Sequence, residues 1–181
     1  MKGFIIKSIA GDFHVYSEET GKVYVCKARG QIRNLKLQPI CGDEVVFEYD
    51  ESANFSIITS ILERKNQLVR PPIANVDIAL IVMSTIKPNF DAFLVDKLIV
   101  AATMENIEPV IVVSKCEFID DEVKSLIENY KKANYQVIEV SSHNDINVDE
   151  VSKIINNKKV VLCGQSAVGK SSLINALLKD D

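Results

Sequence analysis

Four near-continuous apolar runs constrain the fold of this chain more than any other feature. They are Ile78-Ala79-Leu80-Ile81-Val82-Met83, Val110-Ile111-Val112-Val113, Val137-Ile138-Glu139-Val140 and Val160-Val161-Leu162-Cys163. A strand that is apolar at nearly every position must be covered on both faces, the condition of a parallel sheet held between helical layers. Helical periodicity falls between the runs. Val123, Leu126, Ile127 and Tyr130 recur at i, i+3, i+4 and i+7. Asn147 and Glu150 read as a capping pair ahead of Val151, Ile154 and Ile155. Strand and helix in alternation predict a doubly wound α/β domain with a mostly parallel sheet over residues 76–181.

Residues 1–62 follow a different pattern. Short runs rich in Val, Ile, Tyr and Phe alternate with polar residues: Phe4-Ile5-Ile6, Phe13-His14-Val15-Tyr16, Val23-Tyr24-Val25-Cys26, Val45-Val46-Phe47-Glu48-Tyr49 and Phe55-Ser56-Ile57-Ile58. Gly11-Asp12, Glu19-Thr20-Gly21, Cys41-Gly42-Asp43 and Asp50-Glu51 separate them as turns. Five short strands in so little chain predict a small closed β barrel, with the OB-fold first and an SH3-like barrel fitting the pattern nearly as well. Residues 63–75 read as a connector, where Arg70-Pro71-Pro72 favours extended chain.

Charge separates the two parts. Residues 1–70 hold ten Lys/Arg against nine Asp/Glu, whereas the remainder holds eleven against sixteen. Contact with nucleic acid is therefore expected from the first part. The cysteines Cys26, Cys41, Cys116 and Cys163 are scattered, and no pair has metal-knuckle spacing. With no signal peptide and no long apolar run, they point to reduced thiols in the cytoplasm and to no membrane partner.

The motif that carries chemistry is Gly164-Gln165-Ser166-Ala167-Val168-Gly169-Lys170-Ser171. It follows the apolar run Val160–Cys163 and leads into Ser172-Leu173-Ile174, the strand–loop–helix context that a G-x-x-x-x-G-K-S phosphate loop requires. Glycines let the backbone wrap closely around phosphate. Successive N–H groups and the helix N-terminus point partial positive charge at the oxygens. Lys170 is expected to reach the terminal phosphates, and the Ser171 hydroxyl to ligate Mg²⁺. The loop itself does not say which nucleotide it holds.

Phosphate-loop GTPases usually read guanine with N-K-x-D after a buried strand. Here Val110–Val113 runs into Ser114-Lys115-Cys116-Glu117. Lys is in register, Ser replaces Asn and Glu replaces Asp. Serine offers fewer hydrogen bonds for bracing a loop than asparagine, and glutamate keeps two acceptor oxygens on a longer stem. Ser141-Ser142 follows the next strand, resembling the element whose backbone N–H meets the guanine carbonyl. Alone, either segment is also what an ordinary polar loop carries. The order is informative, because both candidate guanine-binding loops precede the phosphate loop. A circular permutation permits this, since the loops of a doubly wound sheet gather at the same strand ends.

These features together resemble the ribosome small-subunit-dependent GTPase family, RsgA, also called YjeQ or YloQ. The resemblance rests further on Cys26-Lys27-Ala28-Arg29-Gly30, Gly42-Asp43-Glu44-Val45, Arg70-Pro71-Pro72-Ile73-Ala74-Asn75-Val76-Asp77, and Ser172-Leu173-Ile174-Asn175. It implies an OB-fold touching ribosomal RNA, a circularly permuted GTPase domain using GTP, GDP and Mg²⁺, and a role in late maturation of the small ribosomal subunit. The family's zinc belongs to a C-terminal part beyond this sequence. Its switch threonine and D-x-x-G segment are likewise expected beyond Asp181, so no catalytic residue is assigned. The expectation is an incomplete GTPase domain that binds nucleotide weakly and hydrolyses it negligibly, and whose exposed sheet leaves the second half marginally stable or self-associating. Between Thr20 and Gly42 stand Lys22, Lys27, Arg29, Arg33 and Lys36 with no acid, the candidate RNA-binding residues, and Tyr24 is their candidate stacking partner. Two other functions fit the residues: a P-loop ATPase or kinase unrelated to ribosomes, and a non-catalytic RNA-binding module.

Overall fold

The computed structural model describes residues 1–28, 38–50 and 55–178. Two compact units divide the chain, Met1–Val76 and Asp77–Asp181.

In the first unit β1 (Lys2–Ile9), β2 (Asp12–Ser17), β3 (Lys22–Ala28), β4 (Glu44–Asp50) and β5 (Phe55–Ile61) close a barrel in the order β1-β2-β3-β5-β4. β3 runs parallel to β5, and β1 closes the ring against β4. That arrangement is the OB-fold's and decides between the two barrels the pattern allowed. Period-two alternation fills it: Ile5, Phe13, Val15, Cys26, Val45, Phe47 and Ile58 form the core. Irregularities between Ile5 and Lys7 and between Val46 and Phe47 bend the strands, as closure of so small a barrel demands. Burial pushes the Cys26 thiol up to about 11, against the opposing effect of a hydrogen bond with Ser56.

The chain after the barrel is tied back within the same unit. Strands β6 (Gln67–Leu68) and β7 (Ile73–Ala74) pair as a short ribbon. Gly42 has φ +85°, and a Cβ there would lie 2.0 Å from the Ala74 carbonyl oxygen, so only glycine fits. Beside it the Asp43 carboxylate is fully buried. It takes the Arg64 guanidinium through both oxygens, at 2.7 and 2.9 Å, and accepts from the Ile40 N–H at 2.8 Å. Asn66 exchanges two 2.8 Å hydrogen bonds with the Val76 backbone, and Asn75 Nδ2 donates to the Gly42 carbonyl at 2.9 Å.

The second unit runs β8 (Ile78–Ser84), α1 (Ala92–Met104), β9 (Glu108–Ser114), α2 (Asp121–Lys132), β10 (Gln136–Val140), α3 (Val148–Ile155), β11 (Val160–Cys163) and α4 (Lys170–Leu177). The four strands form a parallel sheet in the order β10-β9-β8-β11. The continuous apolar runs are explained by two cores. Leu80, Val82, Val110 and Val112 face Val148, Val151 and Leu173 of α3 and α4. Ile81, Met83, Ile111 and Val113 face Val95, Ile99, Val123 and Ile127 of α1 and α2. Asp91 and Asp120 cap α1 and α2 by accepting from the Leu94 and Val123 N–H groups at 3.0 and 2.9 Å. The capping pair expected at Asn147 does not form. Asn147 takes φ +55° and makes no side-chain cap. Its amide instead donates to the Glu139 carbonyl at 2.8 Å, because the tight Ser141–Ile146 turn aims it back at β10. From β8 the chain steps outward to β9 and β10, then returns to the far side of β8 with β11. The strand order therefore reverses between β8 and β11, where α/β folds form their ligand crevice.

Two outcomes are expected in the first unit. Asp43→Ala leaves the Arg64 charge unpaired and should lower stability by about 3–5 kcal/mol in urea unfolding; a loss within experimental error would show that the pair is dispensable. The folded Cys26 thiol titrates near 11 and its ordinary value is 9.0. Its stabilising contribution is complete below pH 9 and is lost as pH rises through about 11. Cys26→Ala should accordingly show a shallower loss of stability across that window than the parent chain.

Candidate functional site

β11 ends at Cys163, and Gly164 turns the chain with φ +138°. A Cβ at Gly164 would lie 2.2 Å from the Val82 carbonyl oxygen, so the loop is pressed against β8 and no side chain fits. Val168 is buried in the α3/α4-side core and pins the loop down. Ala167 and Gly169 take left-handed conformations at φ +66° and +97°. Such steps turn successive N–H groups to one side and make an anion-binding concavity. Gly169 is the N-cap of α4, so Lys170, Ser171 and Ser172 form its first turn. Lys170 Nζ donates to the carbonyls of Gly164, at 2.9 Å, and Gln165, which sets the ammonium within the curl of the loop. Ser166, Ser171 and Ser172 are exposed.

The end of β9 touches this loop. Ser114 Oγ lies 2.5 Å from the Val168 carbonyl, to which it donates, and 3.2 Å from that of Met83. The hydroxyl is buried and so replaces with one bond the bracing an asparagine would supply. Lys115 has φ +57°. Its Nζ donates to the carbonyls of Ile86 and Lys87, at 2.8 and 2.9 Å, and approaches that of Ala167 at 3.4 Å. Cys116 is half-buried and Glu117 exposed. Desolvation, then the charges of Glu117 and Glu139, raise the Cys116 thiol above its ordinary range. Burial also raises Cys163, with the Lys170 charge pulling the other way. Both thiols stay neutral near pH 7 and are poor nucleophiles.

Ser141 follows Val140, whose register partner on β9 is Ser114. Its backbone exchanges hydrogen bonds with Ile146 at 3.2 and 3.0 Å, and its hydroxyl accepts from the Asn144 N–H at 3.2 Å. Ser142 is half-buried beside it. The structure thus joins the phosphate loop to the end of β9, and sets the end of β10 beside that of β9.

On the barrel, Lys22 and Lys27 are exposed on β3. Arg29, Arg33 and Lys36 lie outside the described residues. Tyr24 turns inward, with its ring centroid 5.1 Å from that of Phe47 and 5.3 Å from that of Tyr49.

Comparison with known proteins fits this geometry. The family model described as RsgA N-terminal domain matches residues 2–57, and that described as RsgA GTPase matches residues 61–181. The chain belongs to the RsgA GTPase family. Among curated relatives, the small ribosomal subunit biogenesis GTPase RsgA of Geobacillus thermodenitrificans is 43% identical over 99% of this chain and 61% of its own length. A second, from Listeria innocua, is 39% identical over 99% of this chain and 62% of its own. The chain thus spans about three-fifths of the length of the curated relatives it matches. Among solved structures, YjeQ from Thermotoga maritima aligns with a TM-score of 0.85 at 29% identity, over 97% of this chain and 64% of that one. YloQ, described as a circularly permuted GTPase, aligns with a TM-score of 0.76 at 36% identity, over 96% of this chain and 63% of that one.

Sequence reasoning missed the loop after β8. Thr85 Oγ1 donates to the Lys115 carbonyl at 2.8 Å, and Gln165 Nε2 donates to Asp91 at 3.3 Å, so this loop holds both the phosphate loop and Lys115. The usable signal was Asp91 ahead of an apolar helix, an N-cap pattern. Ser114→Ala should strip the Val168 carbonyl of its side-chain partner and cost about 1–3 kcal/mol in unfolding. Amide exchange at Val168–Lys170 should quicken with it. Unaltered exchange there would mean that β9 does not brace the loop.

Proposed function

We propose that this chain binds GTP and GDP and serves a GTPase cycle in biogenesis of the small ribosomal subunit, in the cytoplasm. The observation that carries the reading is the junction of Ser114 and Lys115 with the carbonyls of Val168 and Ala167. It fixes the candidate base loop against the candidate phosphate loop. Phosphate oxygens take the N–H groups of residues 165–171 and the Lys170 ammonium. The guanine lies along the Lys115 stem, with Glu117 accepting from its edge and the Ser142 N–H meeting its carbonyl. The Ser141 N–H is already bonded to Ile146. The donor set fits Mg²⁺ shared with the nucleotide: one exposed hydroxyl, Ser171, in the helix turn beside the phosphate loop. Bound there, Mg²⁺ neutralises phosphate charge. Hydrolysis by the 181-residue chain alone is slow on this reading, because the residues gathered are binding groups. Calorimetric titration tests the assignment. GDP and GTP should bind and compete, and ATP should bind at least about tenfold more weakly, since Glu117 pairs with guanine alone. Equal affinity for ADP and GDP would remove the guanine assignment.

The RNA contact is proposed on the outer barrel face. Cross-strand rows Phe4–Tyr16–Val23, Lys7–His14–Val25 and Ile9–Asp12–Lys27 point away from the core. Val23 and Val25 are 50% exposed, and the Phe4 and Tyr16 rings lie 5.4 Å apart. Rings flanked by Lys7 and Lys27 suit unpaired bases and phosphates, with Arg29, Arg33 and Lys36 adding charge. Tyr16→Ala should weaken binding to purified small subunits by about 1–3 kcal/mol. Replacing Lys27, Arg29 and Arg33 with Glu should flatten its salt dependence. Binding that ignores both sets of changes would place the RNA elsewhere.

A further inference from the structure

On the α1/α2 side of the sheet, between the loop after β8 and the start of α2, lies a cavity of about 300 Å³. One wall is the loop after β8, with Thr85, Ile86 and Phe90; the other is the approach to α2, with Phe118, Asp120 and Glu122. Its chemistry is one-sided. Two carboxylates and two aromatic rings line it, and no Lys or Arg does. Asp120 Oδ1 is held by the Val123 N–H, and Glu122 is exposed at the rim. Phe118 is 57% exposed, a large ring left at the mouth. Lys115 turns its ammonium to the carbonyls of Ile86, Lys87 and Ala167, and the exposed Lys87 and Lys124 adjoin Ile86 and Val123 in the chain without lining the cavity. Such a site repels a polyanion and attracts an organic cation that can lie on a ring face while its charge meets carboxylate.

The wall of this cavity is also part of the clamp described above. Thr85 holds the Lys115 carbonyl at 2.8 Å, and the Ile86 carbonyl holds the Lys115 ammonium at 2.8 Å. Anything that fixes the 85–90 loop fixes Lys115, which reaches the phosphate loop.

We propose that the cavity receives an arginine or lysine side chain from a protein partner, and that its occupancy slows nucleotide release by immobilising Lys115. The second half rests on the nucleotide reading given above; the first half does not. Differential binding is what couples the two sites: a cation that favours the ordered 85–90 loop must favour the nucleotide-bound state that uses the same loop.

The test uses the 181-residue chain with hexa-arginine amide as probe and hexa-glutamate as control. Titration followed by backbone amide shifts should move Phe90, Phe118 and Glu122 saturably with hexa-arginine and not with hexa-glutamate. Glu122→Lys should weaken that binding by about tenfold, while Asp149→Lys, on α3, should leave it within about twofold. Both positions are exposed, so neither change threatens the fold. With a fluorescent GDP loaded, saturating hexa-arginine should slow release by about threefold or more. Shifts scattered over the acidic surface, or equal weakening by both variants, overturn the cavity assignment. Local binding with unchanged release overturns the coupling. Failure of GDP to bind at all counts against the nucleotide reading and leaves the amide-shift result standing as the test of the cavity.

Discussion

The contact on which the candidate nucleotide site depends is backbone on backbone: Gly164 against the Val82 carbonyl, with no room for a Cβ. It presses the phosphate loop onto the end of β8, and Ser114 then needs only a hydroxyl to reach Val168. The sheet register makes this possible. Ser84, Ser114 and Val140 stand at one level across β8, β9 and β10, so the loops after these strands all start from the same edge. Circular permutation leaves this untouched, because the geometry depends on where strands end and not on the order in which the chain visits them.

The barrel is organised by a different constraint, a carboxylate buried without access to water. Among the described residues Asp43 is satisfied by Arg64 and the Ile40 N–H, and Gly42 beside it lies against Ala74. The residues that follow the last barrel strand are thereby fastened to the turn that precedes β4. The sequence motif Gly42-Asp43 thus has a packing cause that requires no ligand. The outer face has no such cause. Half-exposed Val23, Val25, Ile6 and Ile9 bury little where they stand, which is why that surface is read as a contact.

Much of the architecture was legible because the signals were periodic. Alternation in Phe13-His14-Val15-Tyr16 and continuity in Ile78–Met83 each admit one kind of sheet. The phosphate loop was legible because its glycines and lysine are dictated by close approach and charge. What escaped notice was set by geometry between distant segments. Asp91 and Thr85 matter through partners 74 and 30 residues away, which no local pattern encodes. Tyr24 looked like a stacking residue because aromatics in OB-folds often are, yet strand parity puts it on the side of Val15 and turns it inward. Asn147 looked like a cap, but the left-handed backbone forced by the Ser141–Ile146 turn redirects its amide. In Ser114-Lys115-Cys116-Glu117, serine offers fewer bracing hydrogen bonds than asparagine; buried placement at the strand end lets its single hydroxyl reach the Val168 carbonyl.

A crystal structure of the chain with GDP and Mg²⁺ decides where the nucleotide sits. The β-phosphate should lie in the curl of residues 164–171, with Lys170 Nζ moved from the Gly164 and Gln165 carbonyls onto its oxygens. The guanine ring should lie against the Lys115 stem. Nucleotide bound at another edge of the sheet, or Lys170 still on those carbonyls with phosphate density elsewhere, would contradict this placement.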